Sequence, residues 1–199
     1  MSDTPVDTSK RTWLIASSCA GAVGGAFTAV PFVSSFVPSE RAKAAGAAVE
    51  ADVSALKPGE KMTVEWRGKP VWIVRRTPEE VAALPSIDAQ LADPKSQRKP
   101  DELTPAYARN EGRSIKPELL VVVGICTHLG CSPSDRFQKG PQASLPDDWK
   151  GGFFCPCHGS TFDLAGRVFK NKPAPDNLEV PPHMYLSDNR LLIGEDKKA

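Results

Sequence analysis

Two short segments hold the residues best suited to chemistry, Cys126-Thr127-His128-Leu129-Gly130-Cys131 and Cys155-Pro156-Cys157-His158-Gly159-Ser160. Each offers one Cys and one His at metal-ligand spacing plus a second Cys, and together they contain four of the chain's five cysteines. Two thiolates, Cys126 and Cys155, can hold one iron while two imidazoles, His128 and His158, hold another, the mixed ligand set of a two-iron, two-sulfide centre. Putting neutral imidazoles where thiolates usually stand removes two negative charges from the ligand shell, so an added electron meets a less negative centre. The result is an oxidant able to take an electron from a quinol. A histidine that ligates through one nitrogen can turn the other to solvent and bind or release a proton. An oxidised iron opposes that protonation and a reduced one permits it, so electron and proton travel together.

Both spacings, Cys-x-His and Cys-x-x-His, set the ligands on the tips of tight loops, where Gly130 and Gly159 let the backbone turn close to the metal. A zinc site of two Cys and two His satisfies the same ligand count. Cys131 and Cys157 remain over, one per segment. They read as a disulfide in an oxidising compartment or as two free thiols in a reducing one. Ser160 is near enough to donate its hydroxyl to a sulfur, or serves only to form the turn. Lys172-Pro173-Ala174-Pro175 has the stiffness of a loop that covers the centre from solvent. His183 beside Pro181-Pro182 reads as an ordinary surface or packing residue, and Trp66 and Trp72 as core.

Positioning these loops falls to short strands. Leu119–Ile125 is a continuous, largely β-branched run, a buried strand delivering the first segment, and Gly151–Phe154 leads into the second in the same way. Met62–Trp66 and Val71–Arg75 flank a hairpin signal at Arg67–Pro70, and Arg167–Phe169, Leu178–Val180, Met184–Leu186 and Arg190–Ile193 read as further strands. Thr77-Pro78-Glu79-Glu80 has the form of a capping box that starts a helix. Residues 84–117 are polar and Pro-rich, expected as a surface excursion with short helices. The soluble domain, residues 51–199, is therefore expected to be all-β. Nineteen prolines in 199 residues, roughly double the usual share, agree with many loops and short strands.

Residues 13–37 carry no charged side chain and, at about 1.5 Å per residue, can cross a hydrocarbon core of roughly 30 Å. Lys10 and Arg11 precede them and would keep residues 1–12 in the cytoplasm, leaving a single-pass anchor. A cleaved secretory signal competes with this reading, but its apolar region is usually shorter. Gly21 and Gly25 make a small-xxx-small pair suited to close helix approach, and Cys19 reads as a small buried residue. Residues 38–50 are small and polar, a tether with too few large apolar groups to dock. The net charge of +1 gives no case for nucleic acid as a partner.

With the two segments and Pro173–Pro175 in hand, the chain resembles the Rieske iron–sulfur subunits of ubiquinol–cytochrome c reductases, over nearly its whole length. The resemblance implies three antiparallel sheets, with a cluster-binding subdomain of about residues 121–175 set in a base domain. It implies one 2Fe–2S cluster, a Cys131–Cys157 disulfide, and ubiquinol bound at the exposed edge of the cluster with His158 as its hydrogen-bond partner. It further implies a b-type cytochrome subunit and a membrane-bound c-type cytochrome as partners in a dimeric complex. The head would stand on the periplasmic side of a bacterial inner membrane. Three departures stand out. Phe162 occupies a position where many respiratory members have a Tyr that bonds a ligand sulfur; 26 residues separate His128 from Cys155, a longer interval than is common; and Lys10-Arg11 replaces the pair of a twin-arginine export signal. The surplus, residues 134–150, is expected to be a surface loop.

Overall fold

The computed structural model describes residues 7–196 and divides the chain into two compact units, Met1–Ala44 and Ala45–Ala199. Most of the first unit is α1 (Thr8–Ser35), which includes Pro31. Its N-terminus is capped by Asp7, whose carboxylate accepts from the Ser9 and Lys10 amides at 3.1 and 3.3 Å. That cap starts the helix before Trp13, and Phe36 and Val37 fall beyond its end. Trp13, Phe27 and Phe32 stand exposed, and the apolar surface of the helix is not buried against any of the described residues. Cys19, expected to be buried, is exposed as well. Hydroxyls along the stretch donate back to helix carbonyls, Ser17 to Leu14, Thr28 to Gly24 and Ser34 to Pro31, which satisfies them where water is absent. Residues 1–6 of the expected cytoplasmic segment lie outside the described residues.

Between 38 and 50 the chain forms a short helix, α2 (Glu40–Ala45), and then enters β1 (Val49–Asp52), so the final two tether residues belong to a sheet. The second unit contains three antiparallel sheets of three strands each. β2 (Lys61–Trp66), β3 (Lys69–Arg75) and β4 (Leu119–Val123) form one in that order. β1 pairs with β9 (Arg190–Ile193), which pairs with β8 (His183–Ser187). β5 (Ser134–Arg136), β6 (Gly152–Cys155) and β7 (Ser160–Asp163) make the third. Arg67 and Gly68, with φ of +53° and +71°, turn β2 into β3, the two-residue hairpin that matches strand twist.

The middle sheet explains its own sequence. Val71, Ile73, Val121 and Val123 join a core with Ala51, Leu191 and Ile193, whereas Trp72, Val74, Leu120 and Val122 join another with Phe153, Phe162 and Leu178. Alternate side chains of β3 and β4 thus serve opposite cores, and a strand buried on both faces reads as an unbroken apolar run.

Several expected elements differ. Arg167–Phe169 is not a strand but makes two single bridges, Phe162 to Val168 and Leu91 to Phe169. Leu178–Val180 is irregular, held by Val123 N–H donating to Glu179 O and Val180 N–H to Leu103 O, both 2.8 Å. A capped helix, α3 (Pro78–Ala83), precedes residues 84–117, which contain short helices, α4 (Pro100–Leu103) among them, but are not a mere surface excursion. Leu84, Ile87, Leu91 and Ala108 are buried, and Arg113 is fully buried, with its guanidinium donating to the Leu178, Ala165 and Gly166 carbonyls. A polar stretch can enter the interior when its donors find carbonyls there. The 134–150 interval begins with β5 and ends with Trp149, buried, its Nε1–H donating to Arg136 O at 2.8 Å; only the part between is surface loop.

Candidate metal centre

Both Cys/His loops follow one local plan. β4 delivers the first through Gly124 and β6 the second, and each closes by donation from its glycine amide to its first cysteine's carbonyl. Gly130 N–H reaches Cys126 O at 3.0 Å and Gly159 N–H reaches Cys155 O at 2.9 Å, with φ of +81° and +77°. Only glycine takes that conformation cheaply, so both turns depend on it.

Cys126 and Cys155 are free thiols, each 2% exposed. Burial pushes the Cys126 thiol up; the His128 amide opposes this, the neighbouring Cys155 thiol adds to it, and the Ser160 hydroxyl opposes it again. Burial disfavours two adjoining thiolates being charged at once, and a cation that shares the charge removes that penalty. The His128 and His158 rings stand perpendicular with centroids 4.8 Å apart. His158 is exposed and His128 half-buried. His128 Nδ1 is buried with no hydrogen-bond partner, an acceptor that a metal would satisfy. Two free buried thiols on the same two loops as a pair of imidazoles in ring contact, one with an orphaned nitrogen, fit a two-metal group with one thiolate pair and one imidazole pair.

Cys131 and Cys157 form a disulfide that joins the two loops, which settles the choice between a bond and two free thiols. The sulfurs of Cys131, Cys155 and Cys157 lie within 4.8 Å of one another, but two of them are bonded together and offer no thiolate. The segment expected to cover the centre and the residue after it bond once to each loop: Thr127 Oγ1–H donates to Asp176 O at 2.6 Å, and Ala174 N–H donates to Ser160 Oγ at 3.0 Å. Ala174 is buried while Pro173 and Pro175 stay exposed. Ser160, fully buried, therefore reaches the cover segment and the Cys126 sulfur together. Phe162 lies opposite Phe153 in the apolar core, without a hydroxyl to offer a sulfur.

Residues that sequence reasoning left as background also build the site. Trp72 stacks on Phe153 at 5.0 Å, and a Cβ on Gly124 would lie 2.1 Å from its indole. Gly124 and Phe153 each stand two residues before a free cysteine, so one indole braces both loops. Lys61 Nζ lies 4.2 Å from the centroid of that ring and pairs with Asp135 of β5 at 2.7 Å. Behind β7, the buried Arg167 Nε donates to Asp163 at 2.8 Å, and its Nη1 to Asp88 at 2.7 Å. Only Trp72 carried a signal in the sequence, a large aromatic within a strand. His183 is a packing residue, 1% exposed, edge-on to Tyr107 at 5.6 Å, and its burial holds the imidazole below its usual range.

A family model described as the Rieske [2Fe-2S] domain matches residues 98–182. The chain is 58% identical over 190 residues to the ubiquinol-cytochrome c reductase iron-sulfur subunit of Allochromatium vinosum, covering 94% of this chain and 89% of that one. It is 42% identical over 190 residues to the protein of the same name from Rhodospirillum rubrum, at 94% and 93% coverage. A chain of a solved hyperthermophilic respiratory Complex III is similar at a TM-score of 0.48 with 26% identity, over 89% of this chain and 97% of that one. Two free cysteines and two histidines on paired loops, the disulfide between those loops and this identity along almost the full length agree, and the chain belongs to the family of Rieske [2Fe–2S] iron–sulfur subunits of ubiquinol–cytochrome c reductase.

Proposed function

We propose that this chain is the electron-carrying catalytic subunit of a quinol–cytochrome c oxidoreductase, with Cys126 and Cys155 holding one iron and His128 and His158 the other. When bound, the cluster supplies a one-electron oxidant whose potential is raised by its imidazole ligands. The observation that carries the reading is the asymmetry of burial. The two free thiols are shut inside, while His158 stands exposed at the tip beside Leu129, which is 71% exposed, and Pro156. An apolar rim around an accessible imidazole suits a lipid-soluble donor, ubiquinol, whose hydroxyl His158 accepts and whose proton it holds. The buried thiols and the Pro173–Pro175 segment keep water from the sulfur side, and the Ser160 hydroxyl stabilises negative charge on the Cys126 sulfur.

The protein is membrane-anchored, part of a respiratory complex with cytochrome b and c1 partners. We further read residues 13–37 as the bilayer span, 38–50 as the tether, and 51–199 as a head on the periplasmic side of the bacterial inner membrane. There, in a dimeric complex, the head carries the electron to the c-type cytochrome. The second quinol electron goes to the b-type cytochrome, which couples the reaction to proton translocation. Iron and sulfide analysis with paramagnetic resonance of the reduced protein tests the ligand set. A two-iron signal is expected, shifted by a quinol-site inhibitor in the complex and lost in His158→Ala. Zinc in place of iron, or an inhibitor without effect on the signal, refutes the assignment.

A further inference from the structure

A free thiol and a disulfide share the tip of this fold. The sulfurs of Cys131, Cys155 and Cys157 all lie within 4.8 Å of one another, with Cys131 and Cys157 bonded and Cys155 free. A thiolate beside a disulfide sulfur is set up for intramolecular exchange, because such bonds isomerise by direct attack of one sulfur on another. A sulfur whose lone pairs are committed to iron cannot attack. We propose that ligation of Cys155 is what preserves the Cys131–Cys157 bond, and that loss of the cluster lets the three sulfurs rearrange into a form that cannot be reloaded. The inference rests on the ligand assignment proposed above.

The step balances without an oxidant or a reductant. Cys155 gives its proton to solvent, and its thiolate attacks Cys131 Sγ. The Cys131–Cys157 bond breaks, the Cys131–Cys155 bond forms, and Cys157 leaves as a thiolate that takes a proton from solvent. One disulfide and one thiol stand on each side of the reaction. Two features choose the sulfur attacked. Cys157 is exposed whereas Cys131 is half-buried, so expelling Cys157 leaves the negative charge in water. Attack on Cys157 would instead close a bond across the single residue Pro156, whose fixed φ limits the closure. Cys126, the other free buried thiol, does not belong to the three-sulfur group, which assigns the attack to Cys155. The product still ties the two loops together, but through a ligand position. Cys126 is left without its partner thiolate, and iron with sulfide no longer rebuilds the site until a thiol reductant reopens the bond.

The test uses the full chain, stripped of iron by a chelator without air and held at about pH 8 for hours, the scale on which uncatalysed disulfides rearrange. Free thiols are then blocked with N-ethylmaleimide and the disulfides mapped by mass spectrometry of non-reduced peptides. Most stripped molecules are expected to carry Cys131–Cys155 with Cys157 alkylated. Loaded protein held alongside, then quenched in acid and alkylated, keeps Cys131–Cys157. Two variants without a complete ligand set separate attacker from cluster: Cys126→Ser retains Cys155 and rearranges, while Cys155→Ser keeps the original bond. Native pairing in both the stripped chain and Cys126→Ser overturns the proposal, as does rearrangement in Cys155→Ser. A full complement of iron and sulfide in Cys155→Ser refutes the ligand assignment itself, a result distinct from iron loss without exchange.

Discussion

The first Cys/His loop hangs between a strand and a disulfide, whereas the second is the turn of a hairpin. Residues 126–131 leave β4 and are held by Cys126 N–H donating to Cys131 O at 2.8 Å, by the Thr127 bond to the cover segment and by the disulfide. Residues 155–160 join β6 directly to β7, with Cys155 opposite Ser160 in the ladder. The same turn chemistry therefore operates in two mechanical settings. The suspended loop has the half-buried His128 and the rooted loop the exposed His158. The role proposed for His158 puts the reactive imidazole on the hairpin turn, where a catalytic group can hold its geometry while a partner docks and leaves.

The largest effect expected is one that ignores the difference between the loops. Trp72→Ala removes the ring that braces both, at a cost of about 3–5 kcal/mol, and should loosen cluster retention from either side. A thermal melt of the loaded full chain, followed by visible absorbance, measures it; a loss below 1 kcal/mol would mean that the loops are held elsewhere. Breaking the disulfide by the double change Cys131→Ser and Cys157→Ser should cost about 3 kcal/mol, and the suspended loop should respond more. Hydrogen exchange should rise over 127–131 more than over 156–160, and equal rises would remove the comparison. Gly130→Ala and Gly159→Ala should each cost about 1–2 kcal/mol, alike in both settings, because the strain belongs to the turn.

Smaller changes separate positioning from tuning. Ser160→Ala removes a hydroxyl from the Cys126 sulfur and should lower the midpoint by roughly 40 mV, the equivalent of about 1 kcal/mol for one electron. Thr127→Val removes a bond to the cover segment alone and should leave the midpoint in place while weakening the loop by about 1 kcal/mol. Phe162→Tyr should raise the midpoint by roughly 40 mV if its hydroxyl reaches a ligand sulfur. Voltammetry of the three variants gives the order directly, and a midpoint that falls or stays in Phe162→Tyr refutes the last. Prolines across Lys43–Ala48 should slow turnover with the paramagnetic signal unchanged; full turnover would show that the head need not swing.

How much was legible follows from the range over which each feature is decided. The capping box at Thr77 was readable because it is complete within four residues: Glu80 N–H donates to Thr77 Oγ1 at 3.2 Å and Thr77 N–H to Glu80 at 2.8 Å. Strands β4 and β6, the glycine turns and both Cys/His spacings were readable for the same reason. Residues 84–117 look like surface in the sequence because their polarity is a local property, whereas the carbonyls that accept from Arg113 lie more than fifty residues away along the chain. In sequence the bracing indole looks like ordinary core, since no local pattern shows that Gly124 must be bare to receive it.

By itself the sequence determined which side chains have the donor chemistry, the short loops that hold them, and the apolar helix ahead of them. Those depend on residue type and on spacings of a few positions, which fix backbone turns and faces without help from the rest of the chain. Tertiary structure alone decided which imidazole meets solvent, how Trp72 and Lys61 clamp the two loops, and how close Cys155 lies to the disulfide. Each of those is a matter of depth and approach between distant segments, such as Lys61 and Asp135, 74 residues apart in sequence, and packing sets such distances only when the whole core closes.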